Sequence, residues 1–355
     1  MKKKLIVSIF IIIIGLILTI FTYNNDFLYK DKIIKITNIK TIKEEIDTNE
    51  LNIKEKHKYI KITGNLTNTK EKGKKETYKY EETSSSVVTE KYKIGDKVII
   101  EKGEISTLKR DYYLTFLTSI FIIIMYLVGE KVGLLAILSV LLNTVIFVMS
   151  LNLYNKGLNL VLISIIESFI FTIISLIISC GYNKKTIVAI KSVFLSVTVL
   201  SFFLILLVLI TNFNGINFNG LSFLTVPPEQ VFLSELLIGG LGAIMDVAIT
   251  ISSSVSELIE KDNNISIENL KHSIKEIGKD IMSTMTNVLF FTYLCGGLPL
   301  FVLAIRNGFS MYNYISTNYT LEMMRFLTGA ISLIMTIPIS SYISIKYFKK
   351  EKIKW

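Results

Sequence analysis

The stretch Tyr112-Tyr-Leu-Thr-Phe-Leu-Thr-Ser-Ile-Phe-Ile-Ile-Ile-Met-Tyr-Leu-Val128 holds no charged side chain. After Gly129-Glu-Lys-Val132 a second uncharged run, Gly133–Tyr154, follows at once. A helix needs about 20 apolar residues to cross the roughly 30 Å hydrocarbon core of a bilayer. Two such runs in succession predict an all-α polytopic membrane bundle. Working outward, similar segments occur at Leu5–Phe21, Leu158–Cys180, Val193–Thr211, Phe232 to about Ile259, Ser283–Ile305 and Met323–Tyr347, the last with Pro338 inside it. About eight transmembrane helices are expected.

Between the first and second segments the composition changes. Residues 22–111 carry 20 Lys/Arg and 16 Asp/Glu, so 36 of 90 positions are charged; the other 265 residues carry 19 and 13. Ordinary soluble domains are about 25% charged, well above the share in the apolar remainder. A soluble enzyme, a disordered regulator and a nucleic-acid-binding domain are excluded. The net charge of +10 sits at chain ends and loops, not on one folded surface as a nucleic-acid footprint requires. The expected organisation is a signal-anchor helix at 1–21, a small extracytoplasmic β-rich domain at 22–111, a seven-helix bundle at 112–347 and a basic tail at 348–355. No small-x-small cleavage pattern follows Phe21, which favours an anchor over a cleaved signal peptide.

Lys and Arg in short loops set orientation. Placing Lys2–Lys4 in the cytoplasm also places there Lys131; Lys184, Lys185 and Lys191; Lys261, Lys271, Lys275 and Lys279; and Lys349, Lys350, Lys352 and Lys354. The opposite loops offer Lys156 and Arg306. Both termini are thus expected inside a cell membrane, with residues 22–111 outside.

In that outer segment Lys32–Thr37, Lys58–Thr63 and Lys97–Ile100 read as strands, and Gly64-Asn65, Gly73 and Gly95-Asp96 as turns. Tyr92–Ile100 reads as strand, turn, strand. A small barrel or sandwich fits the spacing. Lys70–Tyr80 and Ser84–Ser86 read as exposed loops, and lone His57 as a surface histidine. Cys180 and Cys295 are too few for a disulfide framework or a Cys-rich metal site and read as small packing residues. No cofactor is expected.

Ionisable groups within spans usually face a bundle interior or a watery path. The sixth span reads Glu235-Leu-Leu-Ile-Gly239-Gly-Leu-Gly242-Ala-Ile-Met-Asp246-Val-Ala-Ile-Thr250-Ile-Ser-Ser253-Ser-Val-Ser-Glu257. Glu235, Gly239, Gly242, Asp246, Thr250, Ser253 and Glu257 follow steps of three and four, which keeps them on one helix face. The stripe is roughly 33 Å long at helical rise, with Asp246 at its centre. A tight helix seam explains Gly239 and Gly242 but explains a desolvated carboxylate poorly. Asp246 is therefore the leading ion- or substrate-binding candidate, with Glu235, Thr250, Ser253 and Glu257 along its stripe. Asp280, Thr284 and Asn287 share a face of the seventh span, where a helix-start role for Asp280 is the competing account. Glu167 lies within the fourth span. A cytoplasm-facing polar cavity between the sixth and seventh helices is expected. Gly296-Gly297 before Pro299 is expected to weaken the seventh helix.

Gly239–Leu258, together with Ile277-Gly-Lys-Asp280-Ile-Met-Ser-Thr284-Met-Thr-Asn287 and then Gly296 and Leu298-Pro-Leu300, resembles the YibE/F family of bacterial membrane proteins. Gly95-Asp-Lys-Val98, Arg110-Asp-Tyr-Tyr113 and Gly181–Thr186 extend the likeness weakly, from about residue 90 to 345. Lys279 stands where the family usually has Arg, Ser283 where it has Gly, and Val288 where it has Thr. The resemblance implies a polytopic inner-membrane protein with an external domain. It implies no settled activity and no catalytic residues.

Three functions compete. The first is a transporter or channel-like permease in which Asp246 handles a small solute, cation or proton. The second is a scaffold or sensor whose residues 22–111 bind an envelope partner. The third, an intramembrane hydrolase using Asp246 and Asp280, is disfavoured. Its two carboxyls must share one water, and helical rise separates them by roughly 10–15 Å. With no soluble-type catalytic motif present either, no enzymatic activity is expected.

Overall fold

The structure, a computed structural model, describes residues 2–48, 54–84, 89–214, 216–218, 226–317 and 319–349. Ser85 and Ser86 of the expected loop and residues 350–355 of the basic tail lie outside the described residues. The chain divides into two compact units, residues 1–134 and 135–355.

The first unit begins with helix α1 (Lys2–Asn24) and a 3-10 turn (Asn25–Leu28). Five strands follow: β1 (Lys32–Thr48), β2 (Lys54–Leu66), β3 (Lys75–Thr83), β4 (Lys97–Glu101) and β5 (Glu104–Leu108). They form one antiparallel sheet in the order β3-β2-β1-β4-β5, rather than a barrel or sandwich. Long β1 pairs with β2 along nearly its whole length but with β4 only over Lys32–Lys35; the sheet curls so that its edge strands β3 and β5 come near each other without pairing. Its core is Ile34, Ile36, Ile60, Ile62, Leu66, Val98 and Ile100, with Tyr78 and Tyr80 packed against it.

Three local expectations are corrected. Gly64-Asn65 is no turn: both lie in β2, beside an irregular register with β1. A Cβ at Gly64 would stand 2.7 Å from the Lys35 carbonyl oxygen, so glycine there permits close backbone approach. Within Lys70–Tyr80, residues from Lys75 onward belong to β3, because Tyr78 and Tyr80 alternate with charged neighbours and reach the core. Of Tyr92–Ile100 only Lys97 onward is strand, and Asp96 Oδ2 accepts from the Lys93 amide at 2.7 Å to close a turn. A second hairpin, unpredicted, turns at Lys102-Gly103 (φ 51° and 87°), the paired positive φ of a two-residue hairpin loop.

The carbonyl end of α1 is fastened to this sheet by charge. Lys97 Nζ donates to Asp26 Oδ2 at 2.8 Å, and Lys109 Nζ stands 3.4 Å from Asp26 Oδ1 and 3.2 Å from Asp111 Oδ1. Both lysines are buried and also donate to the Tyr23 or Thr22 carbonyl. Cations are favoured at a helix C-terminus.

The expected second and third segments join in one element, α2 (Asp111–Asn155), across a kink at Glu130, so the long apolar helices among the described residues number seven where eight were expected. The run is not straight. Glu130 has φ 48°, ψ −121°, and a Cβ at Gly133 would overlap the Met125 carbonyl oxygen. Met125 and Gly133 would be about 12 Å apart in a straight helix, so the backbone bends sharply between them, at the expected loop.

The second unit adds α3 (Leu160–Cys180), α4 (Lys184–Thr211), α5 (Pro228–Lys261), α6 (Ile267–Arg306), α7 (Met311–Thr317) and α8 (Thr320–Lys349). α4 starts nine residues before the expected segment, where Asn183 Oδ1 accepts from the Thr186 amide. α6 absorbs most of the expected loop: Ser266 caps it, and Leu270, Ile274 and Gly278 are buried. It also runs through Gly296, Gly297 and Pro299 without ending. α5 is the central element, packing against α3, α4, α6 and α8. Seven helices long and apolar enough to cross a membrane suggest a membrane protein.

Candidate functional site

α5 buries its aliphatic face: Leu236, Leu237, Leu241, Ile244, Val247, Ala248, Ile251 and Val255 are nearly inaccessible. The predicted stripe lies on the other side. Gly242, Asp246, Thr250 and Glu257 are exposed, and Glu235, Gly239 and Ser253 are half-buried. The residues share one face as their spacing requires; its ends meet neighbouring helices, whereas its centre, Gly242, Asp246 and Thr250, is exposed. Unpaired carboxylates are costly to bury, whereas the opposite face is aliphatic and small.

What fills the interior is a set of hydroxyls that the sequence reading missed. Thr328, Ser332, Thr336, Ser340 and Ser344 step by four along α8 and are all buried. α4 adds buried Ser192 and Ser196, and α5 adds Ser252 and Ser256. Ser252 and Ser344 hydroxyls are 3.2 Å apart. A Cβ at Gly240 would be 3.2 Å from the Ser332 hydroxyl and from Leu200 Cδ2. Residues 240 and 252 on α5 thus meet 332 and 344 on α8, so the two helices run parallel in register over about 18 Å. Small residues and hydroxyls permit such an approach. The step of four in α8 was readable from sequence and is the signal that would have found it.

The ends of the stripe are paired. Arg325, which the sequence reading also missed, donates from Nε to Glu235 Oε2 at 3.1 Å and contacts Glu322. Glu257 Oε1 stands 3.5 Å from Lys185 Nζ. The centre differs: among the described residues Asp246 has no hydrogen-bond or ion-pair partner. Between α5 and α6, a Cβ at Gly239 would stand 2.8 Å from the Tyr293 hydroxyl. Contacts through α8 set heights more directly. A Cβ at Gly278 would meet Ile337, Leu289 lies against Gly329, and Phe290 against Phe326. With the α5–α8 register these put Asp246 level with about residue 278, so Asp280 is near that height and Asn287 roughly 13 Å farther from the α5–α6 connection.

Among the described residues the polar faces of α5 and α6 do not close on each other around the expected cavity. Asp280, Thr284 and Asn287 are exposed, while α6 packs through Gly278, Ile281, Met285 and Leu289 on other faces. Thr284 donates to the Asp280 carbonyl at 2.9 Å and Asn287 to that of Ser283 at 3.0 Å, so both serve their own helix. Glu167 sits elsewhere, buried, accepting at 2.6 Å from the Ser150 hydroxyl of α2. Of the expected packing glycines, Gly239 and Gly297 meet Tyr293 and Tyr319, whereas Gly242 and Gly296 face open space. Cys180 and Cys295 are exposed rather than packed. Among the described residues no group of three or more His, Cys, Asp or Glu could hold a metal ion.

The chain matches two family models. One, described as YibE/F-like protein, covers residues 117–350; the other, described as YibE/F family N-terminal domain, covers residues 27–112. No curated protein and no solved structure matches. The two matches divide the chain where the sheet gives way to the long helices, and the protein belongs to the YibE/F-like family.

Proposed function

We propose that this protein is an eight-span cell-membrane protein, with both termini cytoplasmic and the sheet outside, that passes a proton or small cation along the α5 ridge. The carrying observation is Asp246: a carboxylate midway along an apolar-backed helix, with no partner among the described residues and Thr250 and Ser253 following toward Glu257. Carboxylates at such depth mark ion or proton paths. The break in α2 at Glu130 supports the eighth crossing. The outward direction of the ridge means that a single copy encloses no path, so the site needs a cover.

The test is flux into vesicles reconstituted with the full chain, read with an internal pH dye and in separate runs with Na⁺ and K⁺ gradients. The wild type is expected to dissipate at least one gradient, and Asp246→Asn to slow that by tenfold or more. Equal rates for the two proteins would sink the proposal.

A second reading, a sensor or scaffold working through the external sheet, draws on the buried Asp26–Lys97–Lys109–Asp111 cluster. It ties the sheet to α1 and to the start of α2, so a load on the sheet would reach those helices. An envelope component would be the partner, and removing residues 30–108 is expected to abolish function while leaving flux untouched.

A further inference from the structure

We infer that the outer side of β1, β2 and β3 binds an extended anionic polymer of the phosphodiester kind. Lys40 stands directly opposite Lys61, and Lys61 directly opposite Lys79. Three ammonium groups thus lie in a row across three strands, at steps of about 5 Å between Cβ atoms. Four residues along β2, or about 13 Å, Asn65 is flanked by Lys35 and Lys75. All five lysines are exposed, and among the described residues none has an ion-pair or hydrogen-bond partner. Like charges directly opposite each other destabilise a sheet, and folding supplies nothing to offset these.

The rest of the same side behaves differently. Toward the far end of β1, Lys43 pairs with Glu45, and His57 with Glu81 and Asp47. Toward its start the charges are lysine alone, with only amides and hydroxyls such as Thr63 and Thr77 between them. A row of uncompensated cations attracts a partner whose negative charges also lie in a line, and lysine meets phosphate as a point charge. The position fits as well. Five strands in the order β3-β2-β1-β4-β5, curled so that β3 approaches β5, have the neighbours of the partly open OB barrel, whose β2–β3 side takes linear polymers. That likeness is one of form alone; the lysines supply the chemistry. A bilayer suits the row less, because α1 ends against Lys97 of β4 and the curl carries β2 and β3 round from there. The inference names a chemistry for the partner of the sensor reading, but needs neither that reading nor flux.

The experiment uses the full chain in nanodiscs of neutral phosphatidylcholine and follows the anisotropy of a fluorescent abasic deoxyribose-phosphate oligomer. Binding is expected at low salt and is expected to weaken steadily as salt is added, as counterion release requires. Replacing Lys40, Lys61 and Lys79 together by Gln is expected to weaken it at least tenfold, and replacing them by Arg less than threefold. Lys54→Gln with Lys58→Gln, on the other side of β2, is also expected to cost less than threefold. Because Lys61→Gln removes a like-charge contact, the glutamine variant is expected to melt no earlier than the wild type, so lost binding is not lost folding. Absence of binding at low salt overturns the inference, as does unaltered binding by the glutamine variant or an equal loss in the Lys54 and Lys58 control. Vesicles of anionic phosphatidylglycerol are offered in a separate run; capture of the vesicles without capture of the oligomer assigns the row to lipid and overturns the polymer. Polymer binding by a protein whose function survives removal of residues 30–108 keeps this inference and removes the sensor reading; function lost on removal, without polymer binding, does the reverse.

Discussion

Two carboxylates of this protein sit in opposite circumstances. Asp26 is buried at the end of α1 between two buried lysines, with Asp111 sharing one of them. Asp246 stands midway along α5, exposed, with no cation paired to it among the described residues. The first cluster is closed: its charges are supplied locally, and it holds the sheet against a helix end. The second is open, with no partner among the described residues. A charge that folding has already neutralised is structural; one that folding has left bare is available for function or assembly.

The sharpest way to break this comparison is to make the same change, acid to amide, at both places. Asp26→Asn is expected to cost about 3–5 kcal/mol, because it leaves buried lysines short of countercharge. It would be seen as early thermal unfolding and protease sensitivity of the outer sheet. Neighbouring glycines repeat the contrast. Gly297→Ala would drive a methyl into the buried Tyr319 ring, which stacks 4.5 Å from Phe301, at about 1–3 kcal/mol; Gly296→Ala meets nothing and is expected to be neutral in the same melting assay. Asp246→Asn is then expected to change unfolding by less than about 0.5 kcal/mol, as surface changes usually do, while slowing the proposed flux by tenfold or more. A large loss of stability there would show that Asp246 belongs with Asp26 after all.

The smallest effect concerns His57 on β2. Its hydrogen bond to Glu81 (2.7 Å), helped by Asp47, holds its pKa above the ordinary 6.5 despite some desolvation. A raised value means that the contribution is fully present below the unfolded-state pKa and is lost as pH rises through the folded-state value. The chain has two histidines, so proton NMR of imidazole-labelled protein can follow both. A His57 midpoint above 6.5, falling back in Glu81→Gln, is expected.

The helices were legible because uncharged runs such as Tyr112–Val128 and Gly133–Tyr154 permit little else. The outer sheet was legible only in part. Ile34, Ile36, Ile60 and Ile62 announce strands by alternation, but Lys75–Thr83 is charged enough to hide that Tyr78 and Tyr80 alternate as well. Gly64 imitates a turn because glycine serves turns and close strand contacts alike. Arg325 could not be paired with Glu235 from sequence, since 90 residues separate them and only the parallel register of α5 and α8 brings them together.

By itself the sequence determined that α5 has a hydrophilic face with Asp246 at its middle, because a period of 3.6 residues assigns side chains to sides of a helix. It did not determine which way that face points. Periodicity fixes relative angles within one helix and carries no information about its rotation against others. Only the tertiary structure decided that, when the stacked hydroxyls of α8 took the aliphatic and small side of α5 and left the acid facing out.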